Sequence, residues 1–264
     1  MEKQLQYEGH RVNYRIDGSG PAMVLLHGFL ESLVMWEDFV QALSKMNKVI
    51  TIDLPGFGKT DVFSGNHSME LMADVVNAIL EAEKINHCIL AGHSMGGYVS
   101  LAFAKKYNSK LKGLVLFHSH AGADDEQARI NRNRTIEIVK KNHKDFIATF
   151  IPSLFAEENI DKFHDKIEEA KAVSLETSAE GIIAALAGMR DREDHTGLLQ
   201  TLNIPVLFIA GKQDSRIPPE KILPQIALPK HSEALLLEGV GHMGFVEARK
   251  QTLRTLAHFA IKWF

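Results

Sequence analysis

The sequence predicts an α/β fold: a mostly parallel sheet flanked by helices, with an inserted helical lid. Three observations carry this. Short apolar runs without polar alternation recur at residues 22–26, 49–52, 88–91, 114–117 and 205–210. Such runs suit strands buried on both faces, as in a parallel sheet. Segments with helical spacing separate the first four runs, giving the strand–helix order of a covered parallel sheet. Residues 121–199 break the order, being charged, helical in pattern and free of any buried-strand run.

Residues 3–16 alternate around Leu5, Tyr7, Val12, Tyr14 and Ile16 with Gly9-His10 between. That predicts an antiparallel hairpin at a sheet edge. Gly18-Ser19-Gly20-Pro21 predicts a turn. The run 22–26 predicts a strand ending in His27-Gly28-Phe29-Leu30, and residues 36–43 have helical spacing. The strand at 49–52 leads into the turn-rich Asp53-Leu54-Pro55-Gly56-Phe57-Gly58. Ser68 is placed to cap an amphipathic helix with Leu71, Met72, Val75, Val76, Ile79 and Leu80 on one face. The strand at 88–91 is followed by a helix from about Met95 to Tyr107, then by the strand at 114–117.

In 121–199, apolar anchors such as Ile136, Val139, Phe146, Phe150 and Leu154 punctuate many Arg, Lys and acidic residues. The charges predict a solvated face, and the segment reads as a helical lid inserted into a core made of 1–120 and 200–264. Strand grammar resumes at 205–210, ending in Gly211-Lys212-Gln213-Asp214. A last strand at 233–238 precedes Gly239-Val240-Gly241-His242, and a terminal helix from about Phe245 buries Leu253, Leu256, Phe259, Ala260 and Trp263.

Composition narrows the function classes. Apolar residues make up 45% of the 264, enough for a large core. The net charge of −3, with lysines and acids mixed along the chain, leaves no basic footprint for nucleic acid. Cys88 is the single cysteine, so no intramolecular disulfide forms. The start of the sequence has no apolar targeting core and no run is long enough to span a bilayer, so a cytoplasmic protein without membrane contact is expected. Oligomeric state stays open.

The chemistry centres on Gly92-His93-Ser94-Met95-Gly96. Strand before and helix after make this G-x-S-x-G a nucleophile elbow, a sharp turn that exposes the serine hydroxyl beside free helix N–H groups. Ser94, Asp214 and His242 each fall just beyond the C-terminal end of a predicted strand, the edge where open α/β sheets bind ligands. A serine hydroxyl needs a base to take its proton, and His242 on its Gly-rich loop is the candidate base and later acid. Asp214 would fix the imidazole tautomer.

His27-Gly28-Phe29, the 53–58 loop, the elbow, Gly211-Lys212-Gln213-Asp214 and Gly239-Val240-Gly241-His242-Met243 together resemble the α/β-hydrolase superfamily, in its lid-bearing single-domain serine hydrolase branch. The order Ser, Asp, His is that of the family. The resemblance implies an oxyanion hole made by the backbone N–H groups of Phe29 and Met95. It implies structural roles for His27 and Asp53, while His93 reads as packing. Ser32, Trp36 and Tyr98 are candidates for the pocket wall, with a core role open for Trp36 and Tyr98.

His118 and His120, two apart at a strand end, are expected to share a side and to line the acyl or leaving-group pocket. With Asp124 nearby they have the composition of a metal site, but no third ligand is evident, and no metal or cofactor is expected.

The expected activity is serine hydrolysis of a small carboxylic ester, or a related acyl compound, through an acyl-enzyme. Two alternatives stay open: a triad-bearing lyase resembling 2-succinyl-cyclohexadiene carboxylate synthases, and a non-enzymatic ligand sensor of the same fold. A carboxylate-holding arginine in the lid, from Arg129, Arg132, Arg134, Arg190 and Arg192, would favour the lyase.

Overall fold

The structure, a computed structural model, describes residues 1–63 and 65–264. Eight strands form one sheet: β1 (Glu2–Tyr7), β2 (His10–Asp17), β3 (Ala22–Leu26), β4 (Lys48–Ile52), β5 (Cys88–His93), β6 (Leu111–Phe117), β7 (Val206–Gly211) and β8 (Ser232–Leu237). Their spatial order is β1-β2-β4-β3-β5-β6-β7-β8. The β1–β2 and β2–β4 pairs are antiparallel, and all later pairs are parallel. The apolar runs are the central strands: every residue of β3, β5 and β7 is buried. The alternating β1 and β8 occupy the edges, where one face meets water.

Helices α1 (Glu37–Leu43), α2 (Met69–Ala82) and α3 (Met95–Tyr107) cover the first part of the sheet. Ser68 caps α2, its side chain accepting from the Leu71 N–H at 3.1 Å. Met72, Val75, Val76, Ile79 and Leu80 are buried, whereas Leu71 lies at the margin of that face. Between β6 and β7, only helices and turns occur among the described residues: α4 (Glu126–Phe150), α5 (His164–Leu175), α6 (Ala179–Asp191) and α7 (Thr196–Thr201), with short 3-10 turns. α4 is broken at Asn142, which has non-helical backbone angles. This segment is tied to the core by Ser174 Oγ, which donates to the Leu30 carbonyl at 2.8 Å, and by the His67 N–H, which donates to the Ala184 carbonyl.

α8 (Pro219–Ile226) follows β7. The terminal helix expected from about Phe245 is two pieces, α9 (Gly244–Glu247) and α10 (Arg249–Trp263), divided at Ala248, whose φ of −130° is not helical. Leu256, Phe259 and Ala260 are buried, while Leu253 and Trp263 are half-buried. No single helix among the described residues is long and apolar enough to cross a membrane.

The strand register places the site. Leu26 is level with both Ile52 and Gly92, His93 with Phe117, Phe117 with Ile209, and Gly211 with Leu237. The ends of β3, β5, β6, β7 and β8 thus form one rim. Ser94 directly follows β5, while Asp214 and His242 stand on the loops after β7 and β8.

Candidate active site

Ser94 sits at φ 48° and ψ −112°, a left-handed conformation that costs energy in a non-glycine residue. Neighbours hold it there. Its N–H donates to the Phe117 carbonyl at 2.9 Å, and its carbonyl accepts from the Gly97 N–H and from Ser119 Oγ at 2.8 Å. The turn requires glycine. A Cβ on Gly92 would collide with the Gly96 carbonyl, and one on Gly96 would stand 2.7 Å from the His27 carbonyl oxygen.

Asp214 is buried and fully engaged. Its Oδ1 accepts the Arg216 and Ile217 N–H groups, both at 2.9 Å. Its Oδ2 lies 2.7 Å from His242 Nδ1 and 3.0 Å from His118 Nδ1. Burial alone would raise its pKa, but the charge of His242 and the hydrogen bonds from both imidazoles outweigh it and hold the carboxyl far below the usual range. An ionised carboxylate can only accept. Both Nδ1 atoms therefore carry a proton, and in the neutral form of His242 the Nε2 lone pair is free.

A carboxylate clamp fixes the His242 loop. Glu247 accepts the N–H groups of Gly241 and Met243, each at 3.1 Å, and also those of Ala156 and the Asn159 side chain. The His242 N–H donates to the Leu154 carbonyl at 2.7 Å. The loop is thus bonded to the helical segment on one side and to α9 on the other.

Ser94 and His242 open onto one cavity of about 370 Å³. Phe29, Tyr98 and His120 line it from the core, and Arg132, Phe150 and Met189 from the helical segment. No hydrogen bond from the Ser94 hydroxyl is found among the described residues. Contacts of this kind are commonly long until a substrate seats. The N–H groups of Phe29 and Met95 likewise have no backbone partner among the described residues.

The loop after β3 is itself braced. His27 Nδ1 contacts the Gly28 carbonyl at 2.7 Å and Nε2 accepts the Leu54 N–H at 2.9 Å. Asp53 accepts from Leu33, Lys59 and Asn13.

His93 does more than pack. Its Nδ1 lies 3.0 Å from Glu31 Oε2, and its Nε2 lies 3.0 Å from the His242 carbonyl. Glu31 Oε2 also accepts the Gly28 N–H. Burial would lower the His93 pKa, but the Glu31 charge and hydrogen bond raise it. For Glu31, burial pushes up and His93 pulls down, with a net lowering. A hydrogen-bonded His93–Glu31 pair therefore bridges the Phe29 loop to the His242 loop. Replacing Glu31 by Gln removes the carboxylate that His93 Nδ1 and the Gly28 N–H share. We expect a loss of about 2–4 kcal/mol in urea unfolding, with a lower kcat on a simple ester; unchanged stability and rate would show that the bridge does not matter.

Three expected wall residues lie elsewhere. Trp36 is fully buried against Phe39, Phe117 and Phe245. Ser32 lines a separate groove of about 530 Å³ between the core and α5. His118 is wholly buried behind Asp214. The reason is local: β6 ends at Phe117, and His118 has φ 47°, so strand alternation no longer applies and its ring turns inward. His120 does reach the cavity. Burial first, and nearby cations in the case of His120, push both imidazoles down to about 4, so both are neutral near pH 7. His118 Nε2 is buried without a partner among the described residues, wedged against Gly244.

His118, Asp214 and His242 have the composition of a metal triad. Ligand atoms around a tetrahedral zinc stand about 3.3 Å apart. The 2.7 and 3.0 Å separations here match shared protons instead.

Comparison with known proteins agrees with this architecture. A family model described as alpha/beta hydrolase fold matches residues 21–248. A pimeloyl-[acyl-carrier protein] methyl ester esterase of Aeromonas hydrophila is 28% identical over 254 residues, covering 92% of this chain and 96% of its own length. A 2-hydroxy-6-oxononadienedioate/2-hydroxy-6-oxononatrienedioate hydrolase of Burkholderia vietnamiensis is 30% identical over 228 residues, covering 79% of this chain and 76% of its own. Among solved structures, a malate-bound thermophilic esterase from Thermogutta terrifontis superposes with a TM-score of 0.93 at 30% identity, over 99% of this chain and 98% of that one. With its sheet order, its serine elbow and these relatives, the chain belongs to the α/β-hydrolase fold family, among esterases and hydrolases.

Proposed function

We propose that the protein is a serine hydrolase cleaving a small carboxylic ester, with Ser94, His242 and Asp214 as its triad and residues 121–199 as a lid over the site. The observation that carries this reading is the 2.7 Å Asp214–His242 contact opening onto the cavity that Ser94 shares. His242 Nε2 takes the Ser94 proton as Oγ bonds to the ester carbonyl carbon. The carbonyl oxygen becomes an oxyanion facing the Phe29 and Met95 N–H groups, where each donor is worth about 3 kcal/mol of barrier. The carbon–oxygen bond to the alcohol breaks, and the leaving oxygen takes the proton from His242. Water then repeats the sequence on the acyl-enzyme, with His242 as base, releasing the acid and restoring Ser94.

The methyl ester named for one relative and the esterase named for the solved neighbour support ester chemistry, while the diacid named for another relative is not an ester. A screen of esters of graded acyl length tests the reading: continuous turnover with release of free acid supports a hydrolase. Binding with a thermal shift but no turnover would mark a sensor, and a rearranged product retaining all its atoms would mark a lyase.

Asp214 is depressed, so the stability it contributes is present above the ordinary carboxylate range and lost only as the pH falls through its native value, well below that range. It stays ionised wherever the enzyme works. With Asp214 ionised throughout, a mechanism that needs one neutral imidazole as base gives activity that rises with pH and an acid-limb slope of one in log kcat/KM. A slope of two, with a substrate that does not ionise, would contradict this.

A further inference from the structure

One wall of the cavity is built of cations. Arg132 Nε donates to Asp124 Oδ2 at 3.0 Å, but Asp124 Oδ1 already holds Arg192 at 2.5 Å. Arg192 is buried, with its guanidinium over the Tyr98 ring at 4.0 Å. Arg216, two residues beyond Asp214, lies over the Phe150 ring at 4.7 Å and bonds Ser153 Oγ. Arg216 and Lys221 are exposed, and neither has a salt-bridge partner among the described residues. All of these except Arg192 line the cavity that holds Ser94 and His242. Three of these cations, Arg132, Arg216 and Lys221, thus line the cavity beside one carboxylate, Asp124, which Arg192 already shares. The other carboxylate on this wall, Glu31, is already committed to His93. Partial burial and the repulsion of Arg132 lower the pKa of Arg216, against the pull of Asp214, so the two guanidinium groups feel each other. Lys221 and Arg132 likewise act on the neutral His120. Asp124 is shared by two arginines, and Asp214, which acts on Arg216, already accepts four hydrogen bonds; cations so short of counter-charge at a reaction cavity form a receptor for an anion, and arginine forks match a planar carboxylate.

We propose that the substrate carries a free carboxylate besides its scissile ester, as in the half-ester of a dicarboxylic acid, and that Arg132, Arg216 and Lys221 receive that carboxylate. This rests on the ester-hydrolase reading above and adds the substrate class; a carboxylate held by Arg132 also suits the lyase alternative, which the rearranged product named above would reveal. The carboxylate belongs either to the acyl part or to the alcohol part of the ester.

The test compares kcat/KM at low salt for three series matched in length: monoethyl esters of C4–C6 dicarboxylic acids, acetyl esters of hydroxycarboxylic acids, and neutral ethyl esters. We expect one anionic series to exceed the neutral series by about tenfold or more, mainly through KM, with the advantage shrinking as salt is added. The ratio of anionic to neutral rates should collapse toward one in R132Q/R216Q/K221Q, the neutral ester serving as internal reference. A neutral series as good as both anionic series, or a ratio unchanged in the triple variant, overturns the proposal while leaving the hydrolase reading intact. If no ester turns over, the hydrolase reading falls, and the carboxylate site is decided by thermal shift with adipate against hexanamide. Adipate must then raise Tm in the wild type and not in the triple variant; equal shifts overturn it.

Discussion

Replacing Ser94 with Ala is expected to lower kcat on p-nitrophenyl acetate by roughly 10⁴–10⁶-fold, the range in which losing a triad nucleophile falls, with the fold intact. Both halves follow from the geometry. The hydroxyl makes no hydrogen bond among the described residues, so its removal leaves no orphaned partner. The backbone contacts that hold the elbow, from Gly97, Ser119 and Phe117, involve the main chain of residue 94 and survive the change. The free energy of unfolding should therefore change by less than about 1 kcal/mol. Unchanged steady-state hydrolysis would remove Ser94 from the chemistry.

Asp214→Asn should cost about 10⁴-fold in kcat and also destabilise the chain. The carboxylate accepts four hydrogen bonds, two from backbone N–H groups and two from imidazoles. An amide has one accepting oxygen. If that oxygen keeps the backbone pair, its NH₂ faces two Nδ1–H donors, and His242 must adopt the other tautomer to relieve the clash. Its Nε2 then carries a proton and is no longer a base. His118 meets the same conflict in a fully buried position, so urea unfolding should show a loss of about 2–4 kcal/mol. Full activity in Asp214→Asn would mean that the 2.7 Å contact has no catalytic part.

The parts of this site that sequence reading reached share one property: they are local. Turn residues after apolar runs marked 92–96, 211–214 and 239–242, and sheet topology then brought Ser94, Asp214 and His242 to one rim. Contacts made across the fold left no such trace. Glu31 and His93 are 62 positions apart, and Glu247 reaches back 91 positions to Ala156. Each is a lone acid in its own stretch, with nothing nearby to distinguish it from a solvated one. His118 shows the opposite failure. A regular alternation was extended one residue past the true strand end, where a single left-handed φ reversed the side of the ring. The cationic wall combines both effects. Arg132 lies in a helix whose charges are mostly solvated, and only its packing over the rim places it beside Arg216 and Lys221.

The most direct measurement is covalent trapping with a serine-directed fluorophosphonate, followed by mass analysis of the digested chain. If an imidazole strips the proton from one strained alcohol, a single adduct forms on the peptide containing Ser94, it is lost in Ser94→Ala, and its rate rises with pH as hydrolysis does. An adduct on another serine, or full ester turnover with Ser94 left unlabelled, would contradict the account.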